Sequence, residues 1–196
     1  IVGYSELLEN VDNNLLTEKQ KESYLSIIQS NAENLNLLVD DLLDVGRIQI
    51  GRSLGVVPKE NQIAVVIEKI SVSMRVRSQQ HTIVIDHVNT PPQVIRFDSG
   101  RITQVFYNLL SNAIKYSPAD TTVSITVIDN LPDLEIRISD QGRGVPEEMR
   151  EAIFQPFLQT QSSDGRRGAG TGLGLSICKH INEGHGGKIG VDGKPE

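Results

Sequence analysis

Apolar residues in the first fifty positions recur at helical spacing. In "IVGYSELLEN" they fall at Ile1, Tyr4, Leu7 and Leu8, and the pattern breaks at "NVDNN". Thr17, with Gln20 three residues on, has the form of a capping box, which satisfies free amides at a helix start. From there Tyr24, Ile28, Leu35, Leu38, Leu42 and Val45 alternate at four-three spacing, with Asn31 filling the gap. That is the 3.5-residue repeat of bundled helices. Leu25, Ala32 and Val39 widen the stripe beyond what two helices bury between themselves. The expectation is half of a dimeric four-helix bundle; a helical hairpin packed on the rest of the chain is the plainer alternative. Gly51, Gly55 and Pro58 in "GRSLGVVPKEN" then stop the helix. We therefore expect a hairpin over residues 1–52 and a second domain over 58–196.

The pattern changes in the second part. Ile63, Val66, Ile67, Ile70 and Met74 keep helical spacing, whereas "HTIVIDH" alternates with Ile83 and Ile85 inward. "VIRFD" predicts a short strand leading to Asp98, a candidate helix cap. Residues 99–116 place Ile102, Val105, Phe106, Leu109, Leu110 and Ala113 on one helical face. "TTVSITVID" and "LEIRISD" predict neighbouring strands. A short helix should start at Pro146, another should span 172–183, and "GKIGVD" reads as a last strand. Strands paired hairpin-like between helices indicate an α+β sandwich, a mixed sheet covered by helices, and not a doubly wound parallel sheet.

Composition narrows the function classes. Net charge is −6, which argues against a nucleic-acid partner. No apolar run approaches the roughly 18 residues of a membrane span. The lone cysteine, Cys178, lies among Leu175, Ile177 and Ile181 and is expected to be a buried structural thiol. The chain starts at Ile1 and not at Met, so we expect a fragment of a longer protein.

Three segments carry candidate chemistry. In "QVFYNLLSNAIKYS", Asn108 and Asn112 are four apart and share a helix face with Lys115. An amide oxygen is a hard ligand suited to Mg²⁺, and a lysine suits phosphate; a solvated polar stripe is the alternative. In "SDQGRGV", Asp140 ends a strand and Gly142 and Gly144 follow. A carboxylate there can accept from an exocyclic amine beside glycines that admit a flat ring, or it can simply cap a tight turn. In "RRGAGTGLGLSI", Gly168, Gly170, Gly172 and Gly174 precede a helix. Successive amides and a helix N-terminus suit a polyphosphate; a flexible loop is the alternative. The stretch is not a P-loop, since no Gly-Lys-Ser/Thr follows.

In this order the segments resemble the asparagine, glycine and phenylalanine boxes of the sensor histidine kinases of two-component signalling. The matching residues are "NLLSNAIKYSP", "DQGRGV", "FQPF" and "GTGLGLSI", with "HGGKIGV" near the end. "IVGYSELL" and "LLDVGRIQIG" are similar to the flanks of that family's dimerisation and phosphoacceptor hairpin. The resemblance implies a Bergerat-type sandwich that binds ATP and Mg²⁺ under a flexible lid. It assigns Asn112 to Mg²⁺, Asn108 to the metal and phosphates, Lys115 to phosphate, and Tyr116 to the base or ribose. Asp140 would bind the adenine amine, with Gly142 and Gly144 beside it. Gly170, Thr171, Gly172, Leu173 and Gly174 would border the phosphates, and Arg166 or Arg167 would reach the γ-phosphate. Phe154 and Phe157 would anchor the lid by packing. The implied partners are a response-regulator receiver domain, docked near residues 1–30, and a second copy of the chain. A cytoplasmic location follows, with any membrane anchor in other parts of the parent.

One family feature is missing. The acceptor histidine and its neighbouring acid normally come just before a segment like "IVGYSELL". Here the histidines are His81, His87, His180 and His185, all in the second part. No catalytic acceptor is therefore assigned within the chain, autophosphorylation by this fragment is not expected, and His185 is expected to be structural. Two alternatives remain. Related sandwich ATPases hydrolyse ATP with a glutamate where this chain has Asn108, and an amide cannot serve as a general base. A degenerate nucleotide-binding or dimerisation module is the other.

Overall fold

The computed structural model describes residues 3, 5, 6, 8, 17–88, 94–130, 133–158 and 171–193. They fall into two compact units, Ile1–Asp44 and Val45–Glu196. No helix among the described residues is long and apolar enough to cross a membrane.

The first unit consists mainly of helix α1, Glu18–Gln49, whose last turns from Val45 onward belong to the second. Its start is the predicted capping box. The Gln20 amide donates to Thr17 Oγ1 at 3.3 Å, and the Thr17 amide donates to Gln20 Oε1 at 2.9 Å. Of the earlier predicted helix, Gly3, Ser5, Glu6 and Leu8 are described and helical. The apolar stripe is open to solvent in the single chain: Leu35, Leu38 and Leu42 are 53%, 42% and 59% exposed. Monomeric proteins seldom leave such a stripe bare.

The second unit is the predicted sandwich. Strand β1 (Lys59–Asn61) pairs antiparallel with β3 (Ile95–Phe97). Strands β2 (Thr82–Val88), β4 (Thr122–Asn130) and β5 (Asp133–Ser139) form a sheet in the order β2-β4-β5. β4 and β5 are an antiparallel hairpin, with Val127 opposite Ile136. β2 and β4 run parallel, with Ile83 beside Val123. Parallel neighbours need a long crossover, and here it contains β3 and helix α3, Ser99–Tyr116. The sheet is thus mixed.

Helices α2 (Ile63–Arg77) and α3 cover one sheet face. Ile67, Met74, Phe106, Leu110, Val123, Ile125 and Val127 make the main core. Alternation in β4 puts Val123, Ile125 and Val127 fully inside. A second cluster, Val45, Leu54, Val105, Leu173, Ile177, Cys178 and Ile181, packs α4 (Gly174–Gly184) against another face of α3. Cys178 is buried there, as expected. Helix α3 thus has apolar residues on two faces and leaves a narrow polar stripe between its burials.

Asp98 caps α3. Its Oδ1 accepts from the Gly100 and Arg101 amides, and its Oδ2 accepts from the Val57 amide, tying the segment before β1 to the helix. Its own amide donates to His185 Nε2 at 3.0 Å, and His185 Nδ1 donates to the Ile181 carbonyl. His185 is structural, as expected. Burial pushes the Asp98 carboxyl up, but the Val57, Arg101 and Gly100 amides and the Arg101 guanidinium outweigh it and hold it below its usual range. A carboxyl depressed in the folded state stabilises above its unfolded value of about 3.9. It loses that contribution as pH falls through the folded value. Asp98→Ala should cost about 1 kcal/mol at neutral pH. The gap to the parent should shrink below about pH 4; urea titrations at several pH values would check both.

The predicted last strand does not form. Residues 187–193 are irregular. Gly187, Gly190 and Gly193 weaken a strand, Gly193 has φ +136°, and its carbonyl accepts from the Arg150 guanidinium, not from a ladder partner. Ile189 still packs on the second cluster.

Candidate functional site

Helix α3 organises the polar residues singled out in the sequence. Asn108, Asn112 and Tyr116 are spaced four apart, one above another along one side. The rise of 1.5 Å per residue puts about 12 Å between the first and last.

At the Asn108 level stands the start of α4. A Cβ on Gly174 would lie 3.1 Å from Asn108 Cγ and Oδ1, a tight contact that glycine avoids. Asn108 Nδ2 faces the Gly174 carbonyl at 3.5 Å, a long contact. The Leu173 side chain is buried and fixes the first turn, and the Leu173 amide donates to Thr171 Oγ1 at 3.3 Å. The helix therefore begins beside Asn108 with first-turn amides that no helical carbonyl satisfies.

At the Tyr116 level stands the end of β5. A Cβ on Gly142 would sit 2.8 Å from the Tyr116 carbonyl oxygen and 2.7 Å from Asp140 Oδ1. The Gly142 amide donates to Asp140 Oδ1 at 2.8 Å. The sequence left open whether Asp140 caps a turn or receives a ligand; Oδ1 caps the turn, and Oδ2 has no hydrogen bond among the described residues. Gly144 adopts φ +69°. The Lys115 ammonium bonds Tyr116 Oη at 3.1 Å and lies 4.7 Å from the ring centroid. The Arg143 guanidinium lies 5.7 Å from the same centroid.

Asn112 lies between these two ends and is half-buried. Among the described residues its side chain makes no hydrogen bond. An amide oxygen set there is chemically suited to a hard cation, so the donor set fits Mg²⁺. The described residues hold no cluster of histidine, cysteine and carboxylate ligands that would favour a different metal.

Asn108, Asn112, Lys115, Tyr116, Asp140, Gly142, Gly144 and Thr171–Gly174 thus border one side of the second unit. Arg166, Arg167, Gly168 and Gly170 lie outside the described residues. Phe154 is half-buried, but the Phe157 side chain is 56% exposed. Phe157 joins the site by its backbone: its amide donates to the Gly172 carbonyl at 2.9 Å, with φ +64° at Phe157 and +72° at Gly172. Gly172→Ala would force a Cβ to 2.9 Å from the Leu158 oxygen and the Phe157 carbonyl carbon. The left-handed backbone alone costs alanine roughly 1–2 kcal/mol. Thermal unfolding should show a lower Tm, while Gly190→Ala, with open space around it, should stay near the parent. The sequence missed Arg143, whose only signal was a cation between two glycines.

Residues 97–196 match the family model of histidine kinase-, DNA gyrase B- and HSP90-like ATPases. The chain is 32% identical over 194 residues to the circadian input-output histidine kinase CikA of Synechococcus elongatus, covering 98% of this chain and 26% of that protein. It is 35% identical to the sensor protein KdpD of Clostridium acetobutylicum, over 94% of this chain and 20% of that one. The chain therefore spans about a quarter or less of these relatives. Full-length ShkA, solved in complex with AMPPNP, superposes over 100% of this chain and 40% of its own, with TM-score 0.71 and 28% identity.

Proposed function

This chain belongs to the family of histidine kinase-, DNA gyrase B- and HSP90-like ATPases, as the ATP-binding catalytic region of a histidine kinase; from that premise we propose that it holds Mg·ATP along α3 and positions the γ-phosphoryl group for transfer to a histidine outside this chain. The observation that carries the proposal is the two-ended stripe. Asn108 meets the start of α4 at Gly174, and Tyr116 meets the Asp140–Gly142 turn.

The two ends differ in chemistry. The first-turn amides of α4 and the positive end of its dipole favour phosphate. The Asp140 carboxylate would accept from an exocyclic amine at the turn that Gly142 closes on the Tyr116 carbonyl. Asn112, between them, would ligate Mg²⁺, with Asn108 alongside; the bound metal neutralises charge on the phosphates. Lys115 would swing from Tyr116 to phosphate. Catalysis by these residues is positioning and charge stabilisation, without covalent chemistry on the protein.

Asn108 distinguishes transfer from hydrolysis. An amide cannot take a proton from water, so the site lacks the general base that a hydrolase would need there. Two of the histidines serve the fold: His185 uses both ring nitrogens, and His180 Nδ1 bonds the Ser176 carbonyl. We place the acceptor on the helical bundle ahead of Ile1. The exposed stripe of Leu35, Leu38 and Leu42 supports pairing with a second copy. A response-regulator aspartate would then receive the group, with its receiver domain docked near residues 1–30, in the cytoplasm.

Calorimetry with ATP and Mg²⁺ tests the assignment together with a phosphate-release assay. Saturable binding with negligible turnover is expected. Sustained release of phosphate by the purified chain would overturn it in favour of a hydrolase, and absence of binding would indicate a degenerate module.

A further inference from the structure

Tyr116 gathers two cations on one ring. The Lys115 ammonium is 4.7 Å and the Arg143 guanidinium 5.7 Å from its centroid, both within cation–aromatic range. The ring is 41% exposed, in a chain whose net charge is −6. The Lys115 and Arg143 cations thus share one aromatic partner, drawn from two different elements. The backbone supplies the geometry. Gly142 lets the turn rest on the Tyr116 carbonyl, and Arg143, the next residue, is thereby delivered to the ring.

The two cations differ in what they can do next. Lys115 is on the same helix as Asn108 and Asn112 and can turn toward the phosphate end. Arg143 is on the Asp140 turn, at the opposite end from Gly174. When Lys115 engages phosphate, Arg143 is the cation that stays with the ring. Its flat guanidinium suits stacking on an aromatic face, which a lysine performs less well. We infer that Arg143 is a positioning residue for the nucleoside: it holds the Tyr116 ring at a fixed distance from the Asp140 carboxylate, so that ring and carboxylate together receive the adenine moiety. This rests on the nucleotide site proposed above and adds the residue that sets its base end.

The inference separates Arg143 from Lys115 by ligand. A residue acting through the ring affects adenosine, ADP and ATP alike, whereas one touching phosphate affects ATP most and adenosine not at all. The test is calorimetric titration of the whole chain with each of the three in the presence of Mg²⁺. Arg143→Ala should weaken all three by a similar factor, about three-fold for an exposed cation–aromatic contact. Arg143→Lys should recover part of the loss. Tyr116→Phe should keep the Arg143 dependence and Tyr116→Leu should abolish it. The double variant Arg143→Ala/Tyr116→Leu should then bind no worse than Tyr116→Leu alone. Such non-additivity is a readout that general destabilisation would not produce, and the Tm of each variant is measured alongside.

A loss confined to ATP overturns the inference, because Arg143 would then be contacting phosphate. Losses that simply add overturn it too, as does unchanged binding in Arg143→Ala. If the parent chain binds none of the three ligands, the nucleotide site itself fails and this role falls with it. Parent binding with an additive cycle sinks only the role of Arg143.

Discussion

Asn112→Ala should remove Mg²⁺-dependent binding of ATP and lower phosphoryl transfer to a supplied acceptor domain by about 10²–10³-fold, the usual effect of losing one preorganised electrostatic contact. The reason is its place. Asn112 sits midway between Gly174 and the Asp140 turn, half-buried, on the helix that also holds Asn108 and Tyr116. Alanine is the better helix former, so the fold has no cause to suffer. What is lost is the hard oxygen proposed to ligate Mg²⁺. Affinity for ATP in EDTA should change little, because the base end is intact. Titrations with and without Mg²⁺ give the comparison. Equal Mg²⁺ dependence in the variant and the parent would remove Asn112 from the metal.

Leu110→Ala should be the most damaging single truncation for stability. Leu110 is fully buried on the sheet-facing side of α3, in the cluster with Phe106, Val123 and Ile125. Losing its side chain removes buried apolar surface and leaves a cavity in a close-packed interior, a cost of roughly 2–5 kcal/mol. Against a usual domain stability of about 5–15 kcal/mol, that is a large fraction. Urea denaturation should show a lower midpoint with an unchanged slope. Leu42→Ala, on the exposed stripe of α1, should by contrast leave the monomer's stability near the parent value.

Much of this was legible because it is local. The Thr17–Gln20 box and the Asp98 cap each rest on residues two or three apart, and both form. The β4 alternation gave its inward set because side-chain direction there has period two. The polar stripe of α3 was readable for a similar reason: a helix face is fixed by spacing. Long-range features were not readable. Strand β1 is the three polar residues Lys59–Asn61, with no alternation to announce it, and its partner lies some thirty-six positions on. The parallel pairing of β2 with β4 depends on a crossover that spacing does not encode. "GKIGVD" looked like a strand by alternation, yet its glycines and the pull of Arg150 on Gly193 prevail.

The candidate site divides the same way. Residue types suggested the chemistry of Asn112 and Asp140, but not that Asp140 Oδ1 would close the turn at Gly142. Phe157 was expected to anchor the lid by packing; its side chain is exposed, and its amide donates to the Gly172 carbonyl. Ring burial follows from three-dimensional surroundings, which a "FQPF" string does not contain. Arg143 was invisible because its partner, Tyr116, comes from another element.

The central claim is that Asn112, the Asp140–Gly142 turn and the amides around Gly172 serve one ligand. Titrating isotope-labelled chain with Mg²⁺ and a non-hydrolysable ATP analogue, while following amide resonances, tests it most directly. Asn112, Gly142 and Gly172–Gly174 should shift together along one binding curve with a single Kd, while β1 and α1 stay still. Shifts at only one of the three places, or three curves with different midpoints, would contradict it.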